Sequence, residues 1–179
     1  AVADQLANVQ SISATTRAFA AIKADRSIVT WGDYRYGGDS SLVTDQLVGV
    51  ESIAATNSAF AAIKGDGSVV TWGNASSGGD STSVVDQLIG VQSIYATNSA
   101  FTAIKADGSV VTWGESSFGG DSSFINGELT EVKSIIATDY AFAAIKADGS
   151  VVTWGNSKWG GFVQDTSELE PGGRTITLQ

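Results

Sequence analysis

The chain has no cysteine, no histidine and no methionine, and a single proline, in 179 residues. Without cysteine there are no disulfides, no thiolate metal ligands and no cysteine nucleophile. Without histidine the usual general base of Ser-His-Asp and Cys-His catalysis is gone, and so is the commonest ligand for zinc, copper and non-haem iron. An enzyme built from these residues would rest on carboxylates, lysine or tyrosine. The composition therefore points to a non-enzymatic protein with no cofactor and no metal.

Positive charge is also scarce. Ten Lys and Arg face nineteen Asp and Glu, a net charge of −9 and a pI near 4.2. Such a surface repels phosphate backbones, which excludes nucleic acid as the expected partner. No apolar run approaches the ~20 residues of a membrane-spanning helix, so membrane insertion is not expected. The start at Ala1, with no methionine, reads as a processed terminus or as the edge of a longer protein.

What the chain does have is a repeat. Trp-Gly pairs occur at Trp31-Gly32, Trp72-Gly73, Trp113-Gly114 and Trp154-Gly155, every 41 residues with no insertion. Phe19, Phe60, Phe101 and Phe142 keep the same register, as do Ile12, Ile53, Ile94 and Ile135. The copies fall at about 1–40, 41–81, 82–122 and 123–163 of one repeat domain over 1–179, and 164–179 reads as an atypical closing or capping segment.

Each copy reads as β structure. In the second, Ala59 to Lys64 and Ser68 to Trp72 flank Gly65-Asp66-Gly67, and Asp-Gly between two β-leaning runs predicts a hairpin. The first copy has Asp25-Arg26 instead, which predicts a strained and less regular turn. Val50 to Thr56 supplies another strand, and Val43 to Leu47 a short fourth. Glycines and β-branched residues interrupt every window of helical length. Three or four antiparallel strands cannot bury both their faces alone, so the units must stack, and units of this length favour an all-β propeller over a solenoid.

The segment F-A-A-I-K-A-D-G-S-V-V-T-W-G, followed by a Gly-Gly pair, resembles the regulator of chromosome condensation repeat, once per copy and over nearly the whole chain. It is most similar to the short, acidic bacterial version found in large secreted or surface-borne proteins. The resemblance implies a β-propeller and an extracellular or cell-surface location. It does not imply exchange-factor activity, because no residue here matches the founding member's catalytic wedge. Eukaryotic members have more and longer blades, so four copies leave the ring to be completed by a second chain or by further repeats. Thr175-Ile176-Thr177-Leu178 matches the first strand of another copy and is a candidate for pairing with the chain start.

Positions that vary among near-identical copies are the ones free to recognise a ligand. The quartet after Trp-Gly reads Asp33-Tyr34-Arg35-Tyr36, Asn74-Ala75-Ser76-Ser77, Glu115-Ser116-Ser117-Phe118 and Asn156-Ser157-Lys158-Trp159. Loop aromatics beside Arg or Lys suit sugar stacking or protein contact, which makes Tyr34, Arg35, Tyr36, Phe118, Lys158 and Trp159 the ligand-binding candidates. The competing reading is that these rings only cover edges between blades. The strip Thr16-Arg17, Asn57-Ser58, Asn98-Ser99 and Asp139-Tyr140 reads as a plain polar turn, and the recurrent tryptophans as core. Asp39, Asp80 and Asp121 suit Asx turns better than calcium, which needs more than one carboxylate per loop.

The expectation is thus an interaction or adhesion module presenting variable loops to a glycan or protein. The alternative is a structural repeat that self-assembles into a ring or filament as a homo-oligomer through its free blade edges.

Overall fold

The computed structural model describes residues 2–161. Each copy contributes one antiparallel sheet of three strands in meander order. The strands are β1 (Val9–Ala14), β2 (Ala18–Lys23) and β3 (Ile28–Gly32) in the first copy, and β4 (Val50–Ala55), β5 (Ala59–Lys64) and β6 (Val69–Gly73) in the second. The third copy gives β7 (Val91–Ala96), β8 (Ala100–Lys105) and β9 (Val110–Gly114), and the fourth β10 (Val132–Ala137), β11 (Ala141–Lys146) and β12 (Val151–Gly155). The segment Thr175–Leu178 lies outside the described residues.

The Asp-Gly hairpins form as their chemistry requires. Lys64 and Ser68 close the loop with an N–H donated at 2.9 Å, and Gly67 takes φ +77°. The Asp66 carboxylate accepts the Ser68 amide at 3.0 Å and its hydroxyl at 2.6 Å, which fixes the turn. In the first copy Arg26 is forced to φ +62°, as the sequence predicts, but the expected irregularity is absent. Ile22 pairs with Ile28 just as Ile63 pairs with Val69. Asp25 holds Ser27 as its counterparts do, and the Arg26 guanidinium reaches Glu51 of the next blade at 2.8 Å. These bonds hold the regular turn despite the ~1 kcal/mol cost of a left-handed non-glycine residue.

The fourth strand is not there. Ser41–Gln46 and Thr82–Gln87 are 3-10 turns, with a shorter one at Ser123–Ile125. The physical reason is the residue midway: a strand would put Asp45 on the same face as Val43 and Leu47, and Asp86 on that of Val84 and Leu88, whereas the apolar pairs face inward and the aspartates are exposed, as a turn of helix allows. Asp39 starts the turn by accepting the Ser41 amide at 2.9 Å.

The core lies between blades. Along each middle strand alternate residues face opposite neighbours, as the pleat dictates. Ala59, Ala61 and Ile63 of β5 face forward and receive Phe101, Trp113, Leu88 and Val91 of the third blade. Phe60, Ala62 and Trp72 face back onto Ala18, Ala20 and Ile22 of the first. Every blade thus has a knob face and an alanine-lined socket face. Within the knob, Phe60 and Trp72 are cross-strand partners with stacked rings 5.1 Å apart. The junction is pinned where Trp72 Nε1 donates to the Gly37 carbonyl at 3.0 Å, and Trp113 to Gly78 and Trp154 to Gly119 repeat that bond. Backbone bonds from Thr16 to Asn57, Asn57 to Asn98 and Asn98 to Asp139 link the turns after the inner strands.

Candidate functional site

The loops after β3, β6, β9 and β12 are built from a 3-10 turn and two glycines, and the turn carries a side-chain cap in all but the loop after β9. Asp33 Oδ1 accepts the Arg35 amide at 3.0 Å, Asn74 caps through Ser77, and Asn156 through Lys158 at 3.1 Å. The first glycine then lies against the next blade: a Cβ on Gly37 would meet the Phe60 ring at 2.6 Å. The second lies against its own loop, since a Cβ on Gly38 would stand 2.5 Å from the Gly32 carbonyl carbon. The Gly-Gly pair fixes the loop backbone and leaves the preceding residues free to vary.

These loops share one face with the turns that follow β1, β4, β7 and β10. Thr15 Oγ1 ties the two together by donating to the Tyr36 carbonyl at 3.0 Å, and Thr56 to Ser77 and Thr97 to Phe118 do the same. At the centre of this face is a polar cavity of about 370 Å³, lined by equivalent residues of all four blades, including Thr16, Asn57, Asn98 and Asp139. Four blades lining one cavity means that they are arranged about a common axis.

The candidate residues fall into two clusters. Tyr34, 70% exposed, lies beneath the Arg35 guanidinium at 5.6 Å. Arg35 also donates from Nε and Nη2 to the Asp33 carboxylate at 3.2 Å each, which holds that carboxyl below the usual range. Tyr36 is half-buried against the first junction, with Arg17 above its ring at 5.0 Å. In the second cluster Phe118 packs against the third junction while Trp159 is 59% exposed. The exposed Lys158 sits beside it. Tyr36 and Phe118 therefore cover blade edges and border the open face at once.

Sequence reasoning missed the residue that joins the second cluster. Tyr140 stands between Phe118 and Trp159, with ring centroids 5.1 and 5.4 Å away. The strip expected to be a plain turn thus contributes Arg17 and Tyr140 to the loop face. A signal was present: Arg17 precedes Tyr36 by the same distance along the chain as Tyr140 precedes Trp159, so large residues come in pairs in the first and fourth copies, while the third sets Ser99 against Phe118. The second copy has serine at both places, Ser58 and Ser77, and leaves a gap in the face.

Asp39, Asp80 and Asp121 each accept the amide two residues on, at 2.9 Å, the Asx geometry. Among the described residues no group of three acidic side chains converges as a metal site would require.

No protein-family profile and no curated sequence matches the chain. Solved structures do. Prp20p of Saccharomyces cerevisiae matches with a TM-score of 0.60 and 17% identity over 84% of this chain and 45% of its own. Human WBSCR16 matches at TM-score 0.55 and 16% identity, over 82% of this chain and 47% of that one. The ectodomain of the Physcomitrella patens receptor kinase CR4 matches at 0.54 and 20% identity, over 83% and 39%. The chain spans less than half the length of these structures. Prp20 is yeast RCC1, and the fold of this chain is that of an RCC1-type repeat β-propeller.

Proposed function

We propose that the chain is a non-enzymatic protein-interaction module whose loop face, and not its hairpin face, binds the partner. The observation that carries this is the pair of clusters on the loop face, Tyr34-Arg35-Tyr36 with Arg17 and Phe118-Tyr140-Trp159 with Lys158, in which Tyr36 and Phe118 anchor against the junctions while Arg17, Tyr34, Arg35, Lys158 and Trp159 stand exposed. Rigid aromatic rings and arginine are the side chains that dominate protein interfaces, because they bury much area for little lost freedom. Analogy supports the reading: the Prp20p structure is described with its binding to Gsp1p and histones, and two receptor-kinase ectodomains share the fold. The proposed setting, a secreted or surface-borne protein, is supported by the bacterial repeats that the sequence resembles.

The test is photo-crosslinking from a probe beside Trp159, with partners identified for the native chain and for a Tyr34→Ala, Tyr140→Ala, Trp159→Ala chain. Loss of a buried aromatic contact costs ~2 kcal/mol each, so the triple variant should lose binding at least a hundredfold. A Glu51→Gln change on the hairpin face should leave it unaltered. A partner retained by the triple variant contradicts the proposal. Glycan-array binding abolished by the same changes, with no protein partner, would replace the protein ligand by a sugar.

A further inference from the structure

Three junctions inside the chain are built alike, and its two outer faces are the unmatched halves of a fourth. On the first blade the knob is uncovered: Phe19 is 44% exposed and Ile12 57%, whereas Phe60, Phe101 and Phe142 are at most 1% exposed and Ile135 is 3%. Trp31, the counterpart of the three tryptophans that donate to a glycine carbonyl, has no such acceptor among the described residues. On the fourth blade no described residue fills the socket. A Cβ on Gly160 would meet nothing within 4 Å, where its counterparts Gly37, Gly78 and Gly119 touch a phenylalanine ring. Val151 is 47% exposed and Ile136 65%, while Val69 and Val110, equivalent to Val151, are 9% and 8% exposed. Phe19 does not fill this socket within the chain, since it is not within 4 Å of a Cβ on Gly160.

We infer that these faces join between copies of this chain: Phe19 and Trp31 of one copy seat in the Ala141, Ala143, Ile145 and Gly160 socket of another. The occupant is named by complementarity, because each face already mates with the other face's equivalent three times over, down to the indole-to-glycine bond. Trp31 Nε1 takes the Gly160 carbonyl, as Trp72 takes Gly37. The contact is heterologous, the same two different patches at every junction, so copies add until the rotation closes a ring, or without end where it does not close. This inference is independent of the loop face, which lies around the axis and stays open on assembly.

The experiment is light scattering on the full chain from micromolar to millimolar concentration, with Phe19→Glu and Ala143→Glu chains alone and mixed. Both altered side chains are already partly solvent-exposed in the single chain. A circular-dichroism spectrum verifies folding, and Phe19→Ser serves as a milder knob variant. The native chain should give a mass of two or more copies, each variant alone one copy, and the equimolar mixture two, because one good knob then meets one good socket. A native chain that stays a single copy throughout overturns the inference and assigns the faces to the chain's own tail or to flanking repeats. Variants as large as the native species overturn it too, as does a mixture that remains monomeric.

Discussion

The Trp72 indole nitrogen and the Gly37 carbonyl oxygen, 3.0 Å apart, join two blades at a point buried from solvent. The bond explains why Trp-Gly and Gly-Gly recur together: the tryptophan of one copy needs the bare glycine loop of the copy before it. Trp113→Phe keeps most of the ring and deletes the donor, leaving the Gly78 carbonyl unpaired. It should cost ~1–3 kcal/mol. The same change at Trp31, which has no such partner among the described residues, should cost much less in the single chain. Urea midpoints of the two variants give the comparison.

Glycines that look alike in the repeat differ in what they hold. Gly78 has φ +92° and a Cβ there would stand 2.5 Å from the Phe101 ring, so Gly78→Ala should destabilise by ~3 kcal/mol from strain and overpacking together. Gly90 also has positive φ, +69°, but opens onto free space. Its counterparts Asn8 and Glu131 adopt φ +57° and +56° without glycine. Gly90→Asn should therefore change stability by less than ~0.5 kcal/mol, since asparagine tolerates this region. Thermal melts of the two single variants distinguish them.

Thr102 is fully buried in the third junction and its hydroxyl makes no hydrogen bond. The other copies carry Ala20, Ala61 and Ala143 at this place. Replacing the hydroxyl by a methyl removes a buried polar group without changing shape, so Thr102→Val should raise stability by ~1 kcal/mol, read as a higher denaturant midpoint.

The hairpin aspartates make stability fall in acid. The carboxyls of Asp25, Asp66, Asp107 and Asp148 are held below their ordinary value of 3.8, first by the hydroxyl and then by the amide of the serine two residues on. A depressed folded value means that the unfolded chain binds protons first. Their contribution is complete above 3.8 and is lost as pH drops through the lower folded values. The Asp→Asn change at all four positions keeps an acceptor oxygen for the turn and removes the proton. It should flatten the fall in melting temperature below pH 3.8 while leaving neutral stability nearly the same.

Much of this architecture was legible because the repeat averages out local noise. A tryptophan recurring with Asp-Gly and Gly-Gly marks both a hairpin and a packed face, and the three-stranded blade follows. Two features were hidden for different reasons. Val43 to Leu47 suits a short strand by its apolar ends, whereas Asp45 between them would share their face in a strand, and its exposure decides for a turn of helix. Tyr140 was hidden because its partners belong to two different blades, and only the stacking of blades brings Phe118 and Trp159 to its two sides. The candidate face was legible as a set of variable loop residues and illegible as clusters.

The most direct test of the repeated junction is hydrogen exchange of the five tryptophan indole N–H groups, followed by NMR on the Phe19→Glu chain. Trp72, Trp113 and Trp154 should exchange slowly, held by their glycine carbonyls, while Trp31 and the exposed Trp159 exchange fast. Fast exchange at any of the three, or equal protection of all five, would contradict the account.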